Sequence, residues 1–151
     1  MEIKLDNLAG NEIQALLAEH LEDMRATSPP ESVHALDLTG LRHPDIQFFS
    51  LWDNGSLLGC GALKSLSAVH GEIKSMRTAK HYRNQGIAST LLHHLLAQAT
   101  TLGLERVSLE TGSMDYFTAA RALYRKFGFV ECAPFADYRL DPNSVFMTRT
   151  L

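Results

Sequence analysis

Apolar residues in this chain fall into a helical rhythm most clearly between Ile87 and Leu102. Ile87, Leu91, Leu92, Leu95, Leu96, Ala99 and Leu102 recur at three- and four-residue steps, which makes one stripe on a helix. Ser89, His93, His94, Gln98 and Thr101 take the other side, and Gly103 sits where a helix end favours a left-handed residue. Before this helix, Glu72–Thr78 predicts a strand and Ala79–Tyr82 a short crossing loop. Nearer the start, Ile3 and Leu5 alternate with charge and predict a short strand. Ile13, Leu16, Leu17, His20, Leu21 and Met24 predict a helix, with Asn11 and Gln14 spaced as a capping box. Pro29-Pro30 ends it, and Pro30 can open a second short helix through Glu31–Leu36. Thr39-Gly40 and His43-Pro44 mark a loop.

The pattern then changes to β. Ile46–Trp52 and Leu57–Leu63 read as strands joined by a hairpin turn at Asp53-Asn54-Gly55-Ser56. Gly59 and Gly61 predict a bulge or close packing in the second of them. After the long helix, Arg106–Thr111 reads as a strand, so strand, helix and strand suggest a right-handed parallel crossover. A further helix covers roughly Phe117 to Phe127 and stops at Gly128. Phe129–Cys132 and Val145–Arg149 are the last strands, with a turn at Asp141–Ser144.

The start of the long helix is where chemistry is expected. First-turn amides have no partner inside a helix, and the helix dipole adds positive potential there. Asn84-Gln85-Gly86-Ile87-Ala88 would aim several N–H groups at one spot beside Arg83, a site suited to phosphate. Lys74, Arg77, Lys80 and Arg83 concentrate positive charge nearby in a chain of net charge -3. Taken alone, Gly86 could equally serve only to ease a tight turn.

The pattern Arg83-x-x-Gly86-x-Ala88, after a strand and opening a long helix, resembles the acetyl-CoA pyrophosphate loop of the GNAT N-acetyltransferase superfamily. No Gly-Lys-Ser/Thr follows, as a Walker loop would need, and the triple-glycine dinucleotide fingerprint is missing. Ala120-Arg121-Ala122-Leu123-Tyr124-Arg125-Lys126-Phe127-Gly128-Phe129 resembles the second signature of that superfamily. The element order β, α, α, β, β, β, α, β, α, β, β is similar to its fold over nearly the whole chain. The resemblance implies an α/β (α+β) architecture: a mixed, mostly antiparallel sheet with a central splayed parallel pair and helices on both faces.

It also implies a function, transfer of an acetyl group from acetyl-CoA to a primary amine of a small molecule or peptide by direct attack in a ternary complex. The cosubstrate would be held by Met76, Arg77, Thr78, Arg83, Asn84, Gln85, Gly86, Ile87, Ala88, Ser89, Ala120 and Tyr124. Tyr124 corresponds to the tyrosine that protonates the departing thiolate, whose parent thiol has a pKa of roughly 8.5. Glu72 is the candidate general base, on one strand face with Lys74 and Met76 by parity. Glu110 is its reserve, and a water relay is the third option. The alternative to an enzyme is a module that binds acyl-CoA without turning it over.

The resemblance places the acceptor under the first two helices and their loop, which brings in His20, Met24, Ser28, Glu31 and His34, with Ser113 bordering from the far side. Glu19, Glu22, Asp23 and Glu31 would suit a cationic amine. Ser28–Asp37 resembles a subgroup of bacterial GNAT proteins.

Bulk properties narrow the rest. At 151 residues the chain reads as one domain spanning 1–151. Its mildly acidic balance disfavours nucleic-acid binding. No apolar run approaches the ~20 residues that span a bilayer, and Met1–Asp6 carries charge where an export signal needs an apolar core. Cys60 and Cys132 then read as reduced thiols in the cytoplasm. None of the seven histidines has a metal-ligand spacing, so no metal is expected. Exposed sheet edges leave room for a homodimer.

Overall fold

A computed structural model describes residues 1–151. Seven strands form one sheet: β1 (Glu2–Leu5), β2 (Ile46–Asp53), β3 (Ser56–Ser65), β4 (His70–Thr78), β5 (Arg106–Gly112), β6 (Val130–Cys132) and β7 (Ser144–Thr150). Four helices accompany them: α1 (Asn11–Thr27), α2 (Leu38–Leu41), α3 (Ile87–Thr101) and α4 (Thr118–Lys126). Across the sheet the order is β1-β2-β3-β4-β5-β7-β6, antiparallel everywhere except at β4–β5. Asn54 and Gly55 both have positive φ, the form a two-residue hairpin loop demands.

Alternation along the strands assigns the two faces. Phe49, Leu63 and Ile73 pack with Leu92, Leu95 and Leu96 of α3 and with Tyr124 of α4. Their neighbours Phe48 and Ala62 pack with Ile13, Leu16 and Leu17 of α1. Successive side chains of a strand point to opposite faces, so helices cover both. Leu91, Leu92 and Leu95 are fully buried. Each such leucine contributes roughly 1.5–3 kcal/mol of apolar transfer, which makes α3 a firm platform for the residues at its start.

Two local expectations are corrected. Glu31–Leu36 is not a helix. Pro30–Ser32 makes a single 3₁₀ turn, the chain then extends, and the helix forms later over Leu38–Leu41. Asp37 decides this, because its side chain accepts from the Gly40 amide at 2.8 Å and starts α2 there. The capping box at Asn11 is also absent: Gly10 caps α1 without a side-chain bond, and Gln14 donates instead to the Leu8 carbonyl at 2.9 Å.

Gly59 and Gly61 mark both a bulge and close packing. Between the pairs Cys60↔Arg77 and Ala62↔Lys74, β4 carries one residue more than β3, and Ser75 takes φ 54. This bulge inverts the parity of the strand after Lys74. Met76 therefore does not share a face with Glu72 and Lys74. It turns to the α3 side, where a Cβ on Gly61 would lie 2.7 Å from its sulfur. Arg77 turns to the α1 side. A Cβ on Gly59 would lie 2.7 Å from the Arg77 carbonyl and 3.0 Å from Ile87, so only glycine lets the strands and the start of α3 meet there.

Candidate active site

β4 and β5 pair only through His70↔Arg106, Gly71↔Val107 and Glu72↔Ser108. Beyond Glu72 the two strands diverge, and a cavity of about 520 Å³ opens between them. Backbone groups on the facing edges lose their ladder partners and are free to bind something else. At the mouth stands the start of α3. Gly86 has φ 80 and ψ 12, a left-handed shape that costs other residues about 1–2 kcal/mol. Nothing lies within 4 Å of where its Cβ would sit, so the glycine serves conformation and access. The amides after it open α3 with no side-chain cap, a ready place for an anion.

Of the cosubstrate residues expected from sequence, Met76, Arg77, Thr78, Arg83, Asn84, Gly86, Ile87, Ala88, Ser89, Ala120 and Tyr124 line this cavity. Gln85 is exposed and lies outside its lining. Of the four cations expected to concentrate positive charge here, three are paired with carboxylates. Lys74 Nζ lies 3.1 Å from Glu72, Arg77 is paired with Glu19 at 2.5 Å and Asp23 at 2.6 Å, and Lys80 lies 3.7 Å from Glu19. Arg77 and Lys80 reach carboxylates on α1 that sequence could not bring near, while Lys74 meets Glu72 two positions earlier on its own strand. Arg83 alone of the four keeps no carboxylate partner.

Of the acceptor-side residues, His20, Met24, Ser28, His34 and Glu110 line the cavity, and Glu31 and Ser113 do not. Glu31 faces a neighbouring cavity. Ser113 Oγ donates to the Pro142 carbonyl at 2.6 Å, so it ties down the β7 approach. His20 is buried, and burial with the nearby Arg77 charge lowers its pKa to about 4, so it is neutral at pH 7.

The two carboxylates have different surroundings. Glu72 is buried, and its Oε2 accepts from Tyr138 Oη at 2.5 Å and from Lys74 Nζ at 3.1 Å. Glu110 is pushed up to about 7 by burial, with the Glu72 charge adding to the rise and Lys74 opposing it. Tyr124 is 7% exposed; burial chiefly, then the Glu110 charge, raises its phenol, so it stays protonated.

Tyr138, Tyr116 and Asn143 also line the cavity and were not singled out in the sequence. The available signal was weak: two aromatics, Phe135 and Tyr138, in a short segment between prolines. A loop aromatic without a repeating pattern does not say which wall it will join.

A family model described as Acetyltransferase (GNAT) family matches residues 13–129. The chain belongs to this family. It is 54% identical over its full length, and over the full length of the relative, to the uncharacterized N-acetyltransferase YsnE of Bacillus subtilis (strain 168). Among solved structures it is similar to a GNAT-family acetyltransferase from Staphylococcus aureus Mu50, with TM-score 0.74, 21% identity, and 99% and 98% of the two chains covered. A GNAT acetyltransferase from Elizabethkingia anophelis with acetyl-CoA bound has TM-score 0.72 and 19% identity, with 99% and 97% covered. The GNAT chain is thus an N-acetyltransferase with the expected mixed sheet. None of its helices is long and apolar enough to cross a membrane. No group of three or more His, Cys, Asp or Glu side chains is placed to hold a metal ion.

Proposed function

We propose that this GNAT protein transfers the acetyl group of acetyl-CoA to a primary amine of a small molecule or peptide, by direct attack within a ternary complex. The observation that carries this reading is the wedge between β4 and β5, with uncapped α3 amides at its mouth and Glu110 and Tyr124 on its walls. The cosubstrate's pyrophosphate would sit at Asn84–Ser89 beside Arg83, and its pantetheine arm along the unpaired edge of β4 and past Ala120. It supplies a thioester carbonyl to the attacking amine.

Glu110 is the general base. Its carboxyl is half ionised near neutrality, where a base both holds a free lone pair and takes a proton readily. Glu72 is the less suited of the two, because one of its oxygens already serves two donors. As the amine nitrogen bonds to the carbonyl carbon, its proton passes to Glu110. The carbon–sulfur bond then breaks, and the sulfur takes a proton from Tyr124. An acceptor that arrives as an ammonium ion first gives one proton to water, because only the neutral nitrogen has the lone pair that attacks; the proton passed to Glu110 is the second.

Thiol release from acetyl-CoA, measured against a panel of amines, amino acids and peptides, tests the reading. Release dependent on an amine is expected. Cosubstrate binding with no release against any amine would overturn it in favour of an acyl-CoA sensor.

A further inference from the structure

Beside the wedge lies a second cavity of about 360 Å³. His34, Glu72, Lys74 and Tyr138 line both spaces. Glu72 and Lys74 are fixed on β4 and form the floor of the seam. The two rings above come from separate irregular segments: His34 follows the Pro30–Ser32 turn, and Tyr138 lies between β6 and β7. They meet edge to face, with centroids 5.1 Å apart. Tyr138 is held from below, where its hydroxyl donates to Glu72 at 2.5 Å and accepts from Lys74 at 2.8 Å. Phe135 and Phe146 flank its ring at 5.0 and 5.5 Å.

We propose that Tyr138, meeting His34, is the partition that sets the length of amine the acceptor site takes. This rests on the acetyl-transfer reading above. With the ring in place, an amine poised at Glu110 meets Tyr138 at the end of the cavity. Without it, the two cavities become one along the Glu72–Lys74 floor. The far space is walled by charge: Glu31, Asp137 and Asp141 outnumber Lys64 and Arg139. A tail entering it must therefore be polar, and a second ammonium group matches the excess of carboxylate. Tyr138 is thus a specificity-determining residue that touches the acceptor's distal end.

The test is kcat/KM for a series of α,ω-diamines from propane- to decane-diamine, with wild type, Tyr138→Phe and Tyr138→Ala. Wild type is expected to favour short diamines and fall off sharply with length. Tyr138→Ala should raise the long-to-short ratio by at least about tenfold, the discrimination one methylene carries in a closed pocket. Tyr138→Phe keeps the ring and should keep the wild-type profile, and acetyl-CoA affinity by calorimetry should be unchanged in both. An unchanged ratio in Tyr138→Ala would overturn the partition. So would a shift in Tyr138→Phe as large as in Tyr138→Ala, because the hydroxyl and not the ring would then set the limit. If Tyr138→Ala fails to fold, His34→Ala opens the same seam from the other side and must show the same shift. Wild type that binds acetyl-CoA yet releases no thiol with any amine would overturn the acetyl-transfer reading itself, and the partition with it.

Discussion

Replacing Glu110 with Gln removes one titrating group at nearly constant shape, and the structure gives the consequence a sign at every pH. The carboxyl is raised from 4.5 to about 7, mainly by burial. That gap corresponds to roughly 3 kcal/mol of disfavour for the charged form. In the unfolded chain the same carboxyl ionises at its ordinary value, so the fold holds its full stability below pH 4.5 and loses it as pH rises through about 7. Gln has no charge to bury. Glu110→Gln should therefore be about 1–3 kcal/mol more stable than wild type at pH 8 and equal to it near pH 4. Since 1 kcal/mol moves the midpoint by about 2–4 °C in a chain of this size, the melting temperature should rise several degrees at pH 8.

Activity should move the other way. Loss of a positioned base lowers kcat/KM by about 10²–10⁴-fold. Wild-type kcat/KM should climb with pH through a limb near pH 7, and the variant should lose that limb and keep only the acceptor amine's own titration. Thiol release across the pH range and thermal unfolding at acid and alkaline pH check both halves. Stabilisation of the same size at pH 4 and pH 8 would show that burial of the charge is not its cause. A surviving limb near pH 7 would assign the base to another group.

Other substitutions probe separate parts. Tyr124→Phe removes only a hydroxyl, so stability should change by no more than about 1 kcal/mol, while turnover falls about a hundredfold and calorimetric affinity for acetyl-CoA is kept; unchanged turnover would remove Tyr124 as the acid. Gly86→Glu puts a carboxylate at the α3 amides in a left-handed position; it should cost about 1–2 kcal/mol, leave the domain folded by circular dichroism and abolish acetyl-CoA binding. Retained affinity would contradict the phosphate cradle. Gly59→Ala drives a Cβ into the Arg77 carbonyl, which is backbone and cannot swing aside. A loss of about 1–3 kcal/mol in urea unfolding is expected, with acetyl-CoA affinity also weakened because α3 starts against the same glycine.

Much of this molecule was legible along the chain. The stripe from Ile87 to Ala99, the Asn54-Gly55 turn and the Arg83–Ala88 loop each depend on a few consecutive residues, so local spacing determined them; Leu102, expected on the same stripe, falls just past the helix end at Thr101 and is exposed. The strand order around β4 and β5 followed from the signatures at Gly86 and Tyr124. Tertiary structure decided what depends on one extra residue or on distant partners. The bulge at Ser75 reverses the facing of Met76 and Arg77, and strand parity read from sequence cannot register an insertion that exists only relative to β3. Asp37 moves α2 by competing for one amide. Arg77 meets Glu19 and Asp23 across more than fifty positions of sequence, and Tyr138 reaches Glu72 across 66. Those last two contacts set which charges stay free and where the acceptor space ends, because electrostatics and closure depend on distance in space, which the chain acquires only once it has folded.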